Sequence, residues 1–229
     1  PARKFSRLGV TDIKALKEVL PLVRGFMFHF NCENDSFKNF SSNLDSIAAK
    51  YAKLLDKLEW VSLGGGIYFT KPNYPIKSLA KKLKDFSNEF NIQVYLEPGE
   101  SVVTQAGELV TRVLDIIKNK TMIAIVDSST EAHMLDLLIY QTPAKIKKSP
   151  GGRYKYIVAG RSCLAGDIFG IYRSSSPLRP GDLIHIKDAA GYTIVKKNWF
   201  NGLQMPSLVI RRLNGKTELL RKFGYKDFL

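Results

Sequence analysis

The sequence predicts an α/β protein in two parts: the C-terminal half of a TIM-type (β/α)8 barrel, followed by an antiparallel β-barrel or sandwich. Three observations carry that expectation. Up to about residue 100, short apolar runs alternate with longer amphipathic segments, the pattern of parallel strands joined by crossover helices. After Gly99 the helical periodicity gives way to short apolar segments broken by Gly, Pro and Ser, as in antiparallel β structure. The 229 residues are 45% hydrophobic and 24% charged, enough length for two ordinary domains and enough apolar content for packed cores. The boundary is placed at residue 108, giving a half-barrel over 1–108 and a β domain over 109–229.

The elements follow in order. KFSRLGV (4–10) reads as a strand, and Thr11 as the cap of a helix running to about Val19. GFMFHF (25–30) is a second strand. Residues 36–58 form a long helix, with apolar spacing at Leu44, Ile47, Ala48, Tyr51 and Leu55. EWVSL (59–63) is a third strand, 76–90 a third helix and IQVYLE (92–97) a fourth strand. A short helix over 101–109 leads into LVTRVLDII (109–117), a long strand that turns at Asn119-Lys120 into TMIAIVD (121–127). YKYIVAGR, DLIHIKDA, YTIVKK and SLVIRR complete the β domain. Four βα units are half of an eight-stranded barrel, and an open half leaves inward side chains wet and strand edges unpaired. The chain opens with Pro1 in PARKFSRLGV, so it is expected to be a fragment.

Composition narrows the function. The balance of 35 Lys+Arg against 21 Asp+Glu gives +14, which raises nucleic acid as a partner. The lysines, however, spread along helix faces (Lys50, Lys53, Lys57; Lys77, Lys81, Lys82, Lys84) without interleaved aromatics, so a solvated surface and no nucleic-acid partner are expected. Cys32 and Cys163 stand far apart without ligand spacing, which points to neither a disulfide framework nor a zinc site. No run approaches the roughly 18 apolar residues of a membrane span, and no signal peptide is visible. A cytoplasmic enzyme or binding protein is expected, with no membrane partner.

In a (β/α) barrel, chemistry gathers where strands end. Those places carry Arg7, His29 with Asn31-Cys32-Glu33, Gly64-Gly65-Gly66, and Glu97-Pro98-Gly99-Glu100. Each glycine costs about 0.5–1 kcal/mol relative to alanine within a regular element. A run of three serves either to aim main-chain N–H groups at an anion or to make a tight turn. His29 alone reads equally as a core histidine. Glu97 ends an apolar strand, where a buried carboxylate costs several kcal/mol unless it meets a cation or donors. A protonated pyridine nitrogen is one cation that fits.

Longer motifs run through the whole chain: HFNCEN (29–34), SLGGGI (62–67), LEPGE (96–100), HMLD (133–136), SCLAGD (162–167), DAAGYTIVKKNWFNG (188–202) and LLRKFGYKDF (219–228). Together they resemble the fold-type III pyridoxal-phosphate decarboxylases, the alanine-racemase-like group that includes ornithine and diaminopimelate decarboxylases. Within it they are most similar to the carboxynorspermidine/carboxyspermidine group.

The resemblance implies pyridoxal 5'-phosphate as cofactor and a polyamine-pathway decarboxylation as the reaction. His29 would stack on the cofactor ring, Gly64, Gly65 and Gly66 would hold its phosphate, and Glu97 would pair with its ring nitrogen. Arg7 would join the polar network beneath the ring, and Tyr192 would donate its hydroxyl to the phosphate. Cys163 would enter the site of a second copy in a homodimer and protonate the carbon that lost its carboxylate, with Asp167 facing the same site. A polyamine substrate carries ammonium groups. Glu100 stands where ornithine and diaminopimelate enzymes have an arginine, and it would accept one of them, with Asp136 as a second acceptor.

Three departures temper the likeness. The family's Schiff-base lysine sits on a first barrel strand, and no lysine here fits that role, so the 229 residues alone are not expected to decarboxylate efficiently. Gly191 stands where the close family has a His before the Tyr, and Trp199 where a smaller residue is common. The competing readings are a diaminopimelate or other basic amino-acid decarboxylase, a non-catalytic barrel protein lacking the Schiff-base lysine, and, last, a nucleic-acid module.

Overall fold

The computed structural model describes residues 5–147 and 151–229. They divide into two compact units, Pro1–Val102 and Val103–Leu229.

The first unit is built on three parallel strands, β1 (Gly25–Met27), β2 (Trp60–Ser62) and β3 (Gln93–Tyr95), in the order β1-β2-β3. Helices α1 (Ile13–Val19), α2 (Phe37–Leu55) and α3 (Ile76–Phe90) complete it. Ser36 caps α2 by accepting the Asn39 N–H at 3.3 Å, and α3 stops at Asn91, whose φ of 50° is a left-handed helix end. Phe40, Leu44, Ile47 and Leu55 of α2 share a core with Leu79, Phe86 and Phe90 of α3 and with Val61 and Leu63 of and beside β2. Ala48 and Tyr51 pack against it. One apolar stripe per helix therefore holds the sheet in register, as the spacing requires. The lysines named above lie outside that stripe, and all but half-buried Lys82 are exposed.

Two expectations for this unit fail. Lys4 lies outside the described residues, and residues 5–10 form turns and bends rather than a strand, so the described sheet has three strands, not four. The Ser6 hydroxyl takes the Leu8 N–H at 3.1 Å, a local bond that competes with a ladder, and Phe5 and Gly9 both have positive φ. The cap of α1 is Asp12, which accepts the Lys14 N–H, rather than Thr11.

The second unit holds a five-stranded sheet of order β7-β6-β5-β4-β8. Its strands are β4 (Glu108–Asn119), β5 (Thr121–Val126), β6 (Tyr154–Ala159), β7 (Ile168–Ser174) and β8 (Leu183–Lys187). Pairing is antiparallel except between β5 and β6. The predicted corner is real: Lys120 at φ 56° turns β4 into β5. A separate hairpin pairs β9 (Leu208–Arg211) with β10 (Thr217–Arg221). The core gathers Val113, Ala124, Val126, Val158, Phe169, Ile184 and Ile186.

Three readings of this region are corrected. The helix expected over 101–109 shrinks to a single 3-10 turn, Glu100–Val102. The chain then breaks at Gln105, at φ 62°, whose N–H goes to Asp188 Oδ1 at 2.8 Å. YTIVKK forms no strand but a short helix, α6 (Tyr192–Lys196), followed by Asn198, which bonds the carbonyls of Ala132 and Glu131. Strand β7, after the SCLAGD loop, has no counterpart in the sequence reading.

Two short helices, α4 (Thr130–His133) and α5 (Asp136–Tyr140), follow β5. His133 is buried, with Nδ1 accepting the Ser129 N–H at 3.1 Å. Burial holds its imidazole below the usual value of 6.5, against weaker upward pulls from the Gln204 main chain, Asp167 and Asp127. The folded state thus binds this proton less readily than the unfolded chain, so the contribution of His133 to stability is present above 6.5 and is lost as pH falls below it. Thermal melts should lose less between neutral pH and about pH 5 for His133→Gln than for the wild type. Equal losses would show that His133 does not couple folding to acid.

Among the described residues no helix is long and apolar enough to cross a membrane, and no cluster of three or more His, Cys, Asp or Glu could hold a metal.

Candidate active site

The three parallel strands of the first unit end side by side, and their ends interlock through the glycine triplet. The Phe28 N–H bonds the Ser62 carbonyl at 2.8 Å, the Leu63 N–H bonds Tyr95, and the Glu97 N–H bonds the Gly64 carbonyl at 3.0 Å. His29, Gly64 and Glu97 therefore share one end of the sheet.

Each glycine has its own reason to lack a Cβ. At Gly64, with φ +68°, a Cβ would lie 2.3 Å from His29 Nδ1. At Gly65 it would lie 2.3 Å from the Glu97 carbonyl oxygen, and at Gly66, with φ +79°, 2.8 Å from the Asn31 carbonyl oxygen. The tight-turn and anion-cradle readings are thus not exclusive. Close approach of neighbouring strand ends demands the glycines, and the bared main chain is left at the same place as a histidine and a carboxylate.

Glu97 is exposed rather than buried, so the desolvation argument made from its apolar strand does not apply. It is fixed by a residue that sequence reasoning missed. The Ser62 hydroxyl donates to Glu97 Oε1 at 2.6 Å and accepts the Gly64 N–H at 3.1 Å. A chain of donors thus runs from the glycine loop through Ser62 to the acid. The available signal was position: Ser62 is the last polar residue before the triplet in SLGGGI.

Glu100 lies three residues beyond Glu97, where its Oε2 faces the Tyr68 hydroxyl at 3.4 Å. Tyr68 is pushed up to about 12, by burial first and then by the charges of Glu100 and Glu33. Two carboxylates therefore act on one place. Glu33 also lines a cleft of about 340 Å³ with Cys32, Asn34, Asp35, Asn39 and Ser42, and none of the cradle glycines lines it. Arg7 is exposed in the bend before α1, and among the described residues no hydrogen bond joins it to His29.

In the second unit, Cys163 is a free, exposed thiol in the loop before β7. Asp167, expected to face the site with it, does not: it is 3% exposed and committed to its own loop. Its Oδ1 accepts the Thr130 N–H at 2.7 Å and the Thr130 hydroxyl at 2.9 Å, and Oδ2 accepts the Ser162 N–H at 3.1 Å. Gly160 makes room, because a Cβ there would lie 2.1 Å from Asp167 Oδ2. Asp167 therefore shapes the Cys163 loop instead of meeting substrate. Truncation in Asp167→Ala strands two buried donors and one half-buried donor and should cost about 3 kcal/mol, read as a lowered denaturant midpoint at unchanged slope. A loss under about 0.5 kcal/mol would contradict the assignment.

Asp136 is already answered by a cation: Lys196 Nζ sits 2.6 Å from its Oδ1 and 5.0 Å from the Tyr192 ring centre. The pairing raises the Lys196 ammonium above its ordinary value. Tyr192 is half exposed at the start of α6.

Parallel strand ends with a glycine cradle, a histidine and an oriented acid, followed by a mostly antiparallel β unit, define a class. The model of the pyridoxal-dependent decarboxylase family's C-terminal sheet domain matches residues 11–190, and the chain belongs to that family. All 229 residues align at 47% identity with the carboxynorspermidine/carboxyspermidine decarboxylase of Herminiimonas arsenicoxydans, covering 62% of that protein. The carboxyaminopropylagmatine decarboxylase of Synechocystis sp. is 33% identical, with 60% of its length covered. Among solved structures, the carboxynorspermidine decarboxylase of Campylobacter jejuni complexed with norspermidine superposes with a TM-score of 0.88 at 35% identity, over 98% of this chain and 65% of that one. The chain thus spans less than two thirds of the relatives it matches.

The residues present fit the family's cofactor. A cradle that admits no Cβ suits a phosphate, and an acid held by Ser62 at the same end of the sheet as His29 suits a ring with a basic nitrogen.

Proposed function

We propose that this chain is the C-terminal part of a pyridoxal-phosphate-dependent decarboxylase that converts carboxynorspermidine or carboxyspermidine to norspermidine or spermidine. In this reading residues 1–108 are the second half of a (β/α)8 barrel and 109–229 a β-barrel or sandwich domain. The working enzyme is a cytoplasmic homodimer with shared sites. The observation that carries the substrate class is Glu100 beside Tyr68, with Glu33 adding to the same negative potential.

When bound, pyridoxal phosphate supplies an electron sink for the carbon that loses CO2. The chain's residues provide the rest. Gly64, Gly65 and Gly66 would line the phosphate, with the Gly65 and Gly66 N–H groups as donors because the Gly64 N–H is taken by Ser62, and His29 would cover the ring. Glu97, oriented by Ser62, keeps a proton on the ring nitrogen, which maintains the sink. Glu100 accepts a distal ammonium of the polyamine. Asp136 is a second acceptor once the substrate's ammonium displaces Lys196. Cys163 gives its proton to the reacting carbon. Arg7 and Tyr192 take the roles that their motif positions imply, in the ring network and at the phosphate.

The test is substrate choice by the complete gene product. Carboxynorspermidine should be turned over in preference to diaminopimelate, and Glu100→Gln should raise KM about 10-fold with a smaller effect on kcat, the mark of a lost binding contact. Turnover of diaminopimelate alone rejects the proposal.

A further inference from the structure

The thiol of Cys163 is not left to find its own orientation. Asn201, in the FNG segment, points one side-chain nitrogen at two acceptors: Nδ2 lies 2.8 Å from Glu131 Oε1 and 3.6 Å from Cys163 Sγ. Glu131 is 8% exposed. Its own main-chain carbonyl accepts from Asn198 Nδ2 at 2.9 Å, which ties the segment carrying Asn201 to α4. Asn201 adopts φ 58° and ψ 17°, left-handed backbone inside a 3-10 turn. Asn is one of the few residues besides glycine that adopt this conformation readily.

An amide has two ends, one donating and one accepting. A carboxylate accepts and does not donate, so Glu131 selects the amide's orientation and turns its NH2 end toward both acceptors. The sulfur of Cys163 therefore meets a donor. With the amide reversed, its oxygen would face the sulfur and capture the S–H proton. With the amide as found, the sulfur is held as an acceptor and its own hydrogen is left to point elsewhere.

We infer that Glu131 and Asn201 are positioning residues for Cys163, fixing the sulfur from behind so that its proton is presented to the reacting carbon. The inference rests on the reading of Cys163 as proton donor, but its first readout does not. In this inference both act through the thiol rather than on substrate. The pair also joins two motifs that lie apart in sequence, STEAH (129–133) and WFNG (199–202).

The experiment uses the complete enzyme and two variants, Asn201→Gly and Glu131→Gln. Glycine tolerates the positive φ, so Asn201→Gly removes the amide without adding backbone strain. Glu131→Gln preserves shape but lets the Asn201 amide turn over. The first readout is the S–H stretching band of Cys163 in the infrared, isolated by subtracting the spectrum of Cys163→Ser. In both variants the band should shift and broaden. A band unmoved in both, in protein with wild-type circular dichroism, overturns the inference.

The second readout is the product made in D2O, whose new C–D bond makes the former α-carbon stereogenic. A fixed donor gives one configuration. With the thiol released, water delivers deuterium to either face, and the variants should give a mixture, with kcat reduced about 10-fold and KM little changed. A shifted band with single-configuration product supports the positioning contact and rejects Cys163 as the donor. A mixed product with an unmoved band rejects the contact as the cause.

Discussion

Replacing Glu97 by Gln is expected to lower kcat of the complete enzyme about 100- to 1000-fold, the magnitude seen when one aimed electrostatic partner is removed from an active site. The change preserves shape but removes the charge that, in the proposed mechanism, stabilises a proton on the ring nitrogen. Ser62 at 2.6 Å would still bond the amide oxygen, so the side chain should stay in place and cofactor affinity should hold within a few-fold. Ser62→Ala tests the same chain of donors more gently. It leaves the charge but frees its orientation and drops the Gly64 N–H contact, and about a 10-fold loss is expected. The assay is turnover with cofactor occupancy read separately by absorbance. Glu97→Gln activity within a factor of three of wild type would remove Glu97 from the chemistry.

Gly65→Ala is expected to damage both fold and cofactor binding. Gly64 and Gly66 need positive φ, whereas Gly65 does not, so its case is pure sterics. A methyl group there would stand 2.3 Å from the Glu97 carbonyl oxygen. That obstacle is main chain, held by the strand end, and cannot rotate aside. Overpacking of this kind costs about 1–3 kcal/mol, and relief requires the loop to move away from Glu97. The melting temperature should fall, and the dissociation constant for pyridoxal phosphate should rise about 10-fold or more. Gly166→Ala is the control, because a Cβ there meets nothing within 4 Å and should change stability by less than about 0.5 kcal/mol. Equal behaviour of the two variants would show that the cradle does not depend on close approach.

What the sequence revealed follows from where the information resides. Helices α2 and α3 were legible because their apolar stripes repeat over 19 and 15 residues, long enough for periodicity to outweigh local exceptions. KFSRLGV misled because alternation over so few residues does not distinguish a strand from bends; a strand exists only with a partner, and Ser6 offers the main chain a local one instead. YTIVKK misled in the same way, since six residues fit either period and Asn198 decides how they are tethered. The family motifs located the strand-end residues in advance. They did not show that three glycines answer three different neighbours, nor that Ser62 orients Glu97, because both are distances across strands. Asp167 was misassigned for a related reason: proximity in sequence to Cys163 says nothing about which way a carboxylate faces, and its three donors turn it inward.

The crowding at the glycine loop also bears on how such enzymes diverge. A site whose floor admits no added atom cannot be retuned there, since almost any substitution at 64–66 strikes His29, Glu97 or Asn31. On the proposed reading, new substrate preferences are written on the walls, at positions such as Tyr68, Glu100 and Glu33. Libraries aimed at altered amine selectivity should therefore vary those three positions and leave the triplet untouched.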